Sequence, residues 1–296
     1  MLEVRTKKVK SILTPQKGGF TTRGSYPFTH TLSAYTGCGF GSTTCGLYCY
    51  ARTLPNWTYL YPETEWGQHI EVKENAPALL EETLSKMSSA SRSKLRILMS
   101  STTDPYQPLE NTYRLTRQCL EIFCRYPDLD LLLIQTRSPL ARRDLDLMLT
   151  IPYAWLSVTI ETDDQALLKQ LRGGPSLDRR FALVKEASRL GLPAQVAVSP
   201  CLPYTPDFAA RLIETGARRV VVDSFVEGDG AKGERTRRSP YAALMPNWSD
   251  PQPARELYQQ LKLSGQVEVG WSAAGFSAIP PRLNALEGQS QMFDQL

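Results

Sequence analysis

The chain has 296 residues, 42% of them hydrophobic and 22% charged, which is typical of a globular protein and excludes general disorder. The net charge of +4 permits contact with an anionic partner without demanding it. No apolar run is long enough to span a membrane, and the first residues lack the apolar core of a secretion signal. We therefore expect a cytoplasmic protein without a membrane partner.

Alternating apolar segments and amphipathic helices predict an α/β fold. Residues 1–30 are polar and irregular, and we expect them to form an N-terminal extension. Six apolar segments predict strands at 31–35, 95–100, 129–134, 155–160, 194–198 and 219–224. Helices are predicted between them, including one that starts at Asn75, one that ends at Pro127, one over 176–190 and one over 206–215. Repeated strand-then-helix units are typical of a parallel (β/α) barrel, and about six strands predict a partial one over residues 31–225.

Residues 226–296 are predicted to form a C-terminal extension. The segment 227–239 is glycine-rich and charged, which indicates a loop or lid. A helix from Pro253 and a strand around 267–269 are expected after it. No linker separates these parts, so the sequence favours one domain with appendages at both ends.

Three of the six cysteines, Cys38, Cys45 and Cys49, lie close together near the start of the chain. In a reducing cytoplasm such a group indicates metal binding or redox chemistry rather than disulfides. A zinc site takes four ligands, and here zinc would need a distant one such as Cys201 or His30. Three thiolates fit an iron–sulfur cluster better, with one iron left open to an exogenous ligand.

The sequence around these cysteines supports that interpretation. Residues 37–52 read GCGFGSTTCGLYCYAR, and their glycines let the backbone curl so that its N–H groups can face an anionic cluster. Tyr48 offers a flat face to a bound aromatic group, and Tyr50 places a phenol two residues further on.

This loop resembles the cluster loop of the radical S-adenosylmethionine superfamily. Its Tyr48-Cys49-Tyr50 ending is similar to that of the spore photoproduct lyase-like branch. The resemblance continues through residues 101–110, 116–117, 135–140, 143–144 and 157–160. The cysteines are separated by six and three residues, which is wider than the family's usual spacing, so the loop must be longer here.

The resemblance implies an enzyme with two cofactors. Cys38, Cys45 and Cys49 would hold a 4Fe–4S cluster whose fourth iron binds S-adenosylmethionine. An electron from a donor such as flavodoxin or ferredoxin would then produce a 5′-deoxyadenosyl radical, which abstracts hydrogen from an unidentified organic substrate. Nucleic acid is one candidate substrate.

The resemblance also implies residues that contact S-adenosylmethionine. The candidates are Tyr48 for the adenine, Thr103 and Asp104 for the amino group, Arg137 for the carboxylate, Ser157 for the ribose, and Glu161 and Arg180 near the cofactor. Most of them have a structural alternative. Tyr48 would be ordinary packing, Thr103 and Asp104 a turn cap before Pro105, and the arginines solvated surface charges.

The hydrogen donor to the product radical is the main departure from the branch. Spore photoproduct lyases carry a cysteine at the position of Ser101, and a hydroxyl O–H bond is far harder to break homolytically than a thiol S–H bond. We therefore expect a substrate other than a thymine dimer. Cys201, Tyr50 and Tyr106 are the replacement candidates for catalysis. The alternatives are a DNA photoproduct lyase and, in another class, a zinc-stabilised nucleic-acid-binding protein.

Overall fold

A computed structural model describes residues 2–282 as a mixed α/β fold. The strands are β1 Glu3–Lys7, β2 Leu13–Pro15, β3 His30–Leu32, β4 Tyr35–Thr36, β5 His69–Lys73, β6 Arg96–Met99, β7 Leu131–Thr136, β8 Ala154–Thr159, β9 Ala194–Val198, β10 Arg219–Val222 and β11 Glu268–Trp271. Eight of them form one large sheet in the order β11-β10-β9-β8-β7-β6-β3-β2. All neighbours in it are parallel except β2, which runs antiparallel to β3. This arrangement is compatible with a partial barrel.

The helices alternate with the strands of the large sheet. They are α1 Thr44–Tyr48, α2 Pro55–Leu60, α3 Ala76–Lys86, α4 Ser89–Arg92, α5 Glu110–Tyr113, α6 Leu115–Phe123, α7 Leu145–Thr150, α8 Gln165–Leu171, α9 Leu177–Arg189, α10 Phe208–Glu214, α11 Phe225–Gly228, α12 Glu234–Arg237, α13 Pro240–Leu244, α14 Gln252–Ser264 and α15 Ser272–Phe276. The predicted start of α9 is correct, because the Ser176 hydroxyl accepts a hydrogen bond from the Arg179 amide. None of the helices within residues 2–282 has the length and apolar character that crossing a membrane requires.

The two faces of the large sheet bury different sets of side chains. Leu132 and Ile134 of β7 pack in the larger core with the helices, whereas Leu131 and Leu133 pack in a smaller cluster on the inner face. Successive side chains of a strand point to opposite faces, so both faces of this strand are apolar, as in a covered parallel sheet. The inner face then becomes polar towards the carboxyl ends of the strands, where Gln135 follows Leu133.

A closing segment, residues 273–282, fills the inner face of the sheet from the far end of the chain. Phe276 and Ile279 pack in the inner cluster. Arg96 donates to the Ile279 carbonyl at 2.5 Å and also pairs with Asp130. The Arg282 amide donates to Asp130 at 2.8 Å, so this segment is fixed to the amino ends of β6 and β7.

The N-terminal residues are more regular than the sequence predicts. Residues 1–30 were expected to be irregular, but β1 pairs in parallel with β5, and β4 completes a small three-stranded sheet. β2 extends the large sheet. The expected loop at 227–239 likewise contains α12 and the end of α11. The strand expected around 267–269 is present as β11, which lies at one edge of the large sheet. The part of the predicted C-terminal extension beyond residue 282 lies outside the described residues.

Candidate active site

A cavity of about 420 Å³ opens at the carboxyl ends of the large sheet. One side, the cysteine wall, is formed by residues of the segments 38–54, 100–104, 135–137 and Thr159. A second group of lining residues, the outer wall, comes from the segments 16–21 and 224–236. The carboxyl ends of parallel strands are where α/β folds carry their active sites, so the cavity lies at the expected edge.

Cys38, Cys45 and Cys49 all line this cavity. Cys38 precedes a 3₁₀ turn over Gly39–Ser42, Cys45 lies in the first turn of α1, and Cys49 follows its last residue. All three are free thiols. The loop and the short helix together bring three sulfur atoms to one wall.

Glycines make this compact loop possible. A Cβ atom on Gly46 would lie 1.7 Å from the Gly41 carbonyl oxygen, and one on Gly41 would lie 2.5 Å from Cα of Gly67. The loop is also tied to neighbouring elements, because the Thr44 amide donates to the Gly173 carbonyl at 2.9 Å. The curled backbone predicted from the glycines is therefore present.

The donor set fits an iron–sulfur cluster. Burial raises the pKa of Cys38 to about 12, whereas a hydrogen bond with Cys49 lowers the pKa of Cys45. Within residues 2–282 no three potential ligands converge on a point where one metal ion could sit. A cube does not require such convergence, because each cysteine of a cluster binds a different iron. Three thiols around a glycine-built loop thus suit a cluster better than a single zinc ion.

A buried charge network stands behind the cysteine wall. Glu161, 2% exposed, accepts from Arg180 at 2.5 Å, from Arg137 at 3.0 Å and from the Tyr48 hydroxyl at 3.2 Å. Burial would raise the pKa of Glu161, but the charges of Arg180 and Arg137 outweigh it and lower that pKa to about 2. The carboxylate is therefore ionised, and it holds Arg137 and Tyr48 in place.

Thr103 and Asp104 line the cavity but are bonded to the protein. The Thr103 hydroxyl donates to the Gly37 carbonyl at 2.6 Å, which ties the cysteine loop to the end of β6. The Asp104 carboxylate accepts from the Tyr106 and Arg137 amides, each at 2.8 Å, and from Thr136 at 2.6 Å. These are the contacts of the turn-cap alternative, and the predicted contact with an amino group stays a prediction.

The two candidate tyrosines of the loop both line the cavity. Tyr48 packs edge-on against Phe225 and Tyr241, with ring centroids 5.6 Å and 5.4 Å away. The Tyr50 hydroxyl donates to the Ser101 carbonyl, and burial raises the pKa of that phenol. Two aromatic neighbours and the hydrogen bond to Glu161 thus hold Tyr48 in place.

Five of the sequence-predicted residues do not line the cavity, namely Ser157, Tyr106, Cys201, Arg180 and Glu161. Ser157 is fully buried and accepts from Gln195 at 3.0 Å, deeper in the inner face. Tyr106 is buried in the larger core beside Asp144. The Cys201 thiol packs with the helix-side core, because residue 201 follows the strand end and faces away from the inner side. The structure therefore brings Tyr50 to the cavity, but neither Tyr106 nor Cys201.

The fourth of these residues, Arg180, is more buried than the sequence predicts. It was expected to be a solvated helix charge, but it is 1% exposed. Its guanidinium donates to the Thr159 carbonyl at 2.8 Å as well as to Glu161. Arg180 acts behind the wall and does not face the cavity. Glu161 is placed in the same way, since it reaches the cavity through Arg137 and Tyr48.

Several polar residues of the cavity were missed in the sequence. Gln135 and Thr159 line it and bond to each other at 2.8 Å, and Ser199 lines it at the end of β9. The fully buried Asp223 follows β10, and its Oδ1 atom has no hydrogen-bond partner within the described residues. Strand alternation could have identified them, because each lies two residues after an inner-face position such as Leu133 or Val221.

Asp223 lies directly behind the outer wall. A Cβ atom on Gly228 would lie 2.5 Å from the Asp223 carboxylate, and the Ser199 hydroxyl donates to that carboxylate at 3.4 Å. Burial raises the pKa of Asp223 to about 7, and the nearby Glu227 adds to the rise, while Ser272 and Ser199 oppose it. This side of the cavity thus holds a buried carboxyl group whose pKa is raised by its surroundings.

Curated relatives share part of this sequence, whereas no family model matches it. An uncharacterized protein of Methanocaldococcus jannaschii is 30% identical over 187 residues, which cover 63% of this chain and 65% of the relative. An uncharacterized protein of Mycobacterium tuberculosis is 28% identical over 223 residues, 69% of this chain and 63% of the relative. The chain thus spans less than two thirds of the length of these relatives.

Solved structures share the fold. Spore photoproduct lyase in complex with dinucleoside spore photoproduct superposes with a TM-score of 0.57 at 13% identity, covering 91% of this chain and 82% of the lyase. A variant of that lyase with AdoMet and the same photoproduct bound gives a TM-score of 0.53 at 13% identity, over 90% and 81%. The likeness shows that the chain has the fold of this lyase.

Proposed function

We propose that the protein is a radical S-adenosylmethionine enzyme. The observation that carries the proposal is the convergence of Cys38, Cys45 and Cys49 on one cavity at the carboxyl ends of a parallel sheet. The fold supports it, since the lyase with the same fold has been solved with AdoMet bound. A 4Fe–4S cluster held by these thiolates would supply the electron that cleaves S-adenosylmethionine to a 5′-deoxyadenosyl radical.

The chain's own residues provide binding, orientation and exclusion of water. Arg137, fixed by Glu161, presents a cation to the carboxylate of the methionine group, and the glycine-built loop presents its three sulfurs. Tyr48 bounds the space where an adenine ring would lie. Because Glu161 is buried and stays ionised, Arg137 keeps one orientation before the cofactor arrives.

The hydrogen-transfer step is assigned to the cavity wall near Tyr50. Ser101 also lines the cavity, but its O–H bond is too strong for it to serve as the donor. Among the three catalytic candidates, Tyr50 is the one that lines the cavity, so it is our choice for a radical relay. The absence of a thiol at Ser101 argues against repair of a thymine dimer. An external electron donor, such as flavodoxin or ferredoxin, remains part of the prediction.

Anaerobic reconstitution of the full chain tests the proposal. We expect about four iron and four sulfide ions per chain, a brown colour, and dithionite-dependent formation of 5′-deoxyadenosine from S-adenosylmethionine, measured by mass spectrometry. Cys45→Ala should lose most of the iron and all of the product. Cys124→Ala is the matched control, because Cys124 lies outside the cavity and contacts Thr150, and it should behave like the wild type.

Two results would contradict the proposal. The first is a colourless protein that carries zinc instead of iron, which would favour the zinc-stabilised alternative. The second is an iron content that Cys45→Ala and Cys124→Ala reduce to the same extent, since the cavity thiols would then have no special role.

A further inference from the structure

The outer wall contains a loop that is folded around one buried carboxylate. Asp229 is 5% exposed, and its carboxylate accepts from the amides of Ala231 at 2.7 Å, Gly233 at 2.9 Å, Arg235 at 3.0 Å and Thr236 at 3.1 Å. Four amide donors to one carboxylate fix the course of the chain over these residues. The predicted lid is therefore an ordered part of the wall.

This loop places Arg235 at the cavity. The guanidinium donates from Nη1 to the Asp229 carbonyl at 2.6 Å, and Arg235 lines the cavity. Gly230 has a φ of +70°, and a Cβ atom there would lie 2.8 Å from Nη1, so glycine at 230 leaves room for the guanidinium. The helix that carries Arg235, α12, packs against the turn that contains Tyr50.

Within residues 2–282, Arg235 is the one charged residue lining the cavity that has neither an oppositely charged partner nor a full set of hydrogen bonds. Arg137 is paired with Glu161, Asp104 accepts three donors, and Asp229 accepts those of its own loop. The next arginines of the loop, Arg237 and Arg238, are exposed and pair with Glu234 instead.

We propose that Arg235 binds an oxyanion, a phosphate or a carboxylate, on the substrate. The Asp229 carbonyl occupies Nη1, and the other N–H donors of the planar guanidinium can form two parallel bonds to such a group. The outer wall also includes Gly18 and Gly19, and in the described part of the chain nothing lies within 4 Å of a Cβ atom added to either. That the anion belongs to a substrate rests on the proposed function, whereas anion binding by Arg235 does not.

Anion binding can be measured without turnover, as the rise in thermal unfolding temperature of the full chain, with and without reconstituted iron. The probes are inorganic phosphate and acetate, with chloride at matched ionic strength as the reference. Phosphate stabilises proteins generally. The signal is therefore an excess, the rise in unfolding temperature of the wild type minus the rise of Arg235→Gln, the variant that lacks the site. At ten times the dissociation constant we expect an excess of about 3 °C.

Arg235→Gln should show only the general rise, since losing a charge-assisted bidentate contact lowers affinity for the anion about tenfold or more. Arg237→Gln is the matched control, because Arg237 lies in the same helix and points to solvent, and it should keep the excess. Arg235→Lys keeps the charge without the planar fork and should lie between them. An excess with phosphate alone identifies a phosphate-bearing substrate, and an excess with acetate as well identifies a carboxylate-bearing one.

Two results would overturn the inference while leaving the proposed function intact. In the first, wild type and Arg235→Gln show equal rises with both probes while the iron-loaded protein still forms 5′-deoxyadenosine. In the second, Arg235→Gln weakens S-adenosylmethionine binding as strongly as Arg137→Gln does, because Arg235 would then bind the cofactor's own carboxylate. A chain that binds the anion but holds no iron would instead refute only the proposed function.

Discussion

The cysteine wall and the outer wall of the cavity differ in how their arginines are paired. On the cysteine wall the charged side chains bind other protein groups, since Glu161 joins Arg137, Arg180 and Tyr48. On the outer wall Arg235 has no carboxylate partner within residues 2–282, and Asp223 behind it keeps an unbonded oxygen. In the described part of the chain, the charged side chains of the cysteine wall are thus paired, although Ser100 and Gln135 keep an unbonded atom there, whereas Arg235 of the outer wall has no counter-charge and has donors left for a ligand.

This difference is the one expected between a surface that binds a constant cofactor and a surface that recognises a substrate. A cofactor that is always the same can be met by a rigid wall whose side chains are locked by buried contacts. A substrate is recognised by groups that its arrival satisfies, because buried polar groups left unpaired are costly. Under the proposed function, we therefore propose that the cysteine wall binds the cofactor and that the outer wall recognises the substrate.

The largest expected effect breaks the network of the cysteine wall. Glu161→Gln leaves Arg180 buried without its counter-charge, and the free energy of unfolding should fall by about 3–5 kcal/mol in urea titrations. Glu186→Gln is the control, because Glu186 pairs with Arg142, which is 70% exposed, and the loss there should be below about 1 kcal/mol. Equal losses in the two variants would show that the buried network contributes no more than a surface pair.

The second effect is a pH dependence that originates behind the outer wall. The pKa of Asp223 is about 7 in the fold and 3.8 as a reference, so between these values the folded chain holds a proton that the unfolded chain has released. Stability from this group is therefore full below pH 4 and is lost as the pH rises through 7. Asp223→Asn removes this dependence.

We compare the free energy of unfolding of Asp223→Asn with that of the wild type. The difference in favour of the variant should be about 2–4 kcal/mol larger at pH 8 than at pH 5. The groups that face Asp223 are Glu227, which itself lies 3.8 Å from Arg255, and the hydroxyls of Ser199 and Ser272. Comparing the two proteins in the same buffers cancels every other titrating group. A difference that does not change with pH would contradict the raised pKa.

A smaller effect compares one glycine from each wall. Gly46→Ala places a methyl group against the Gly41 carbonyl, and we expect a loss of about 1–3 kcal/mol in the free energy of unfolding, with reduced iron uptake. Gly18→Ala is the counterpart on the outer wall, where nothing lies within 4 Å of the added carbon, and it should change stability by less than about 0.5 kcal/mol. Tolerance of Ala at 46 would show that the cysteine loop is not tightly packed.

The sequence predicts the large sheet well because its strands are apolar on both faces. Residues 194–198 were predicted as a strand and form β9, and Asn75 and Ser176 precede α3 and α9 as expected. β1 was missed because its side chains are mostly exposed, and its partner β5 lies more than sixty residues away. Exposed strands give no alternation, so their pairing is decided by contacts that are distant in the chain.

The site was predicted in part for a similar reason. The three cysteines and Tyr48 belong to one short segment, so their proximity follows from the sequence alone. The burial of Arg180 depends on Glu161, which comes from a different element, and no local pattern shows it. Cys201 was expected at the cavity because it follows a strand, but only Ser199 and Pro200 of that segment line it.

The closing segment has a consequence for how the molecule comes apart. Arg96 holds the Ile279 carbonyl, and Asp130 holds the Arg282 amide, so chain regions far apart in sequence are clasped at the bottom of the sheet. Releasing that clasp would let solvent reach Leu131 and Leu133 from below. Denaturation should consequently proceed as a single transition, in which the hydrogen-exchange protection of β6, β7 and residues 276–282 disappears together.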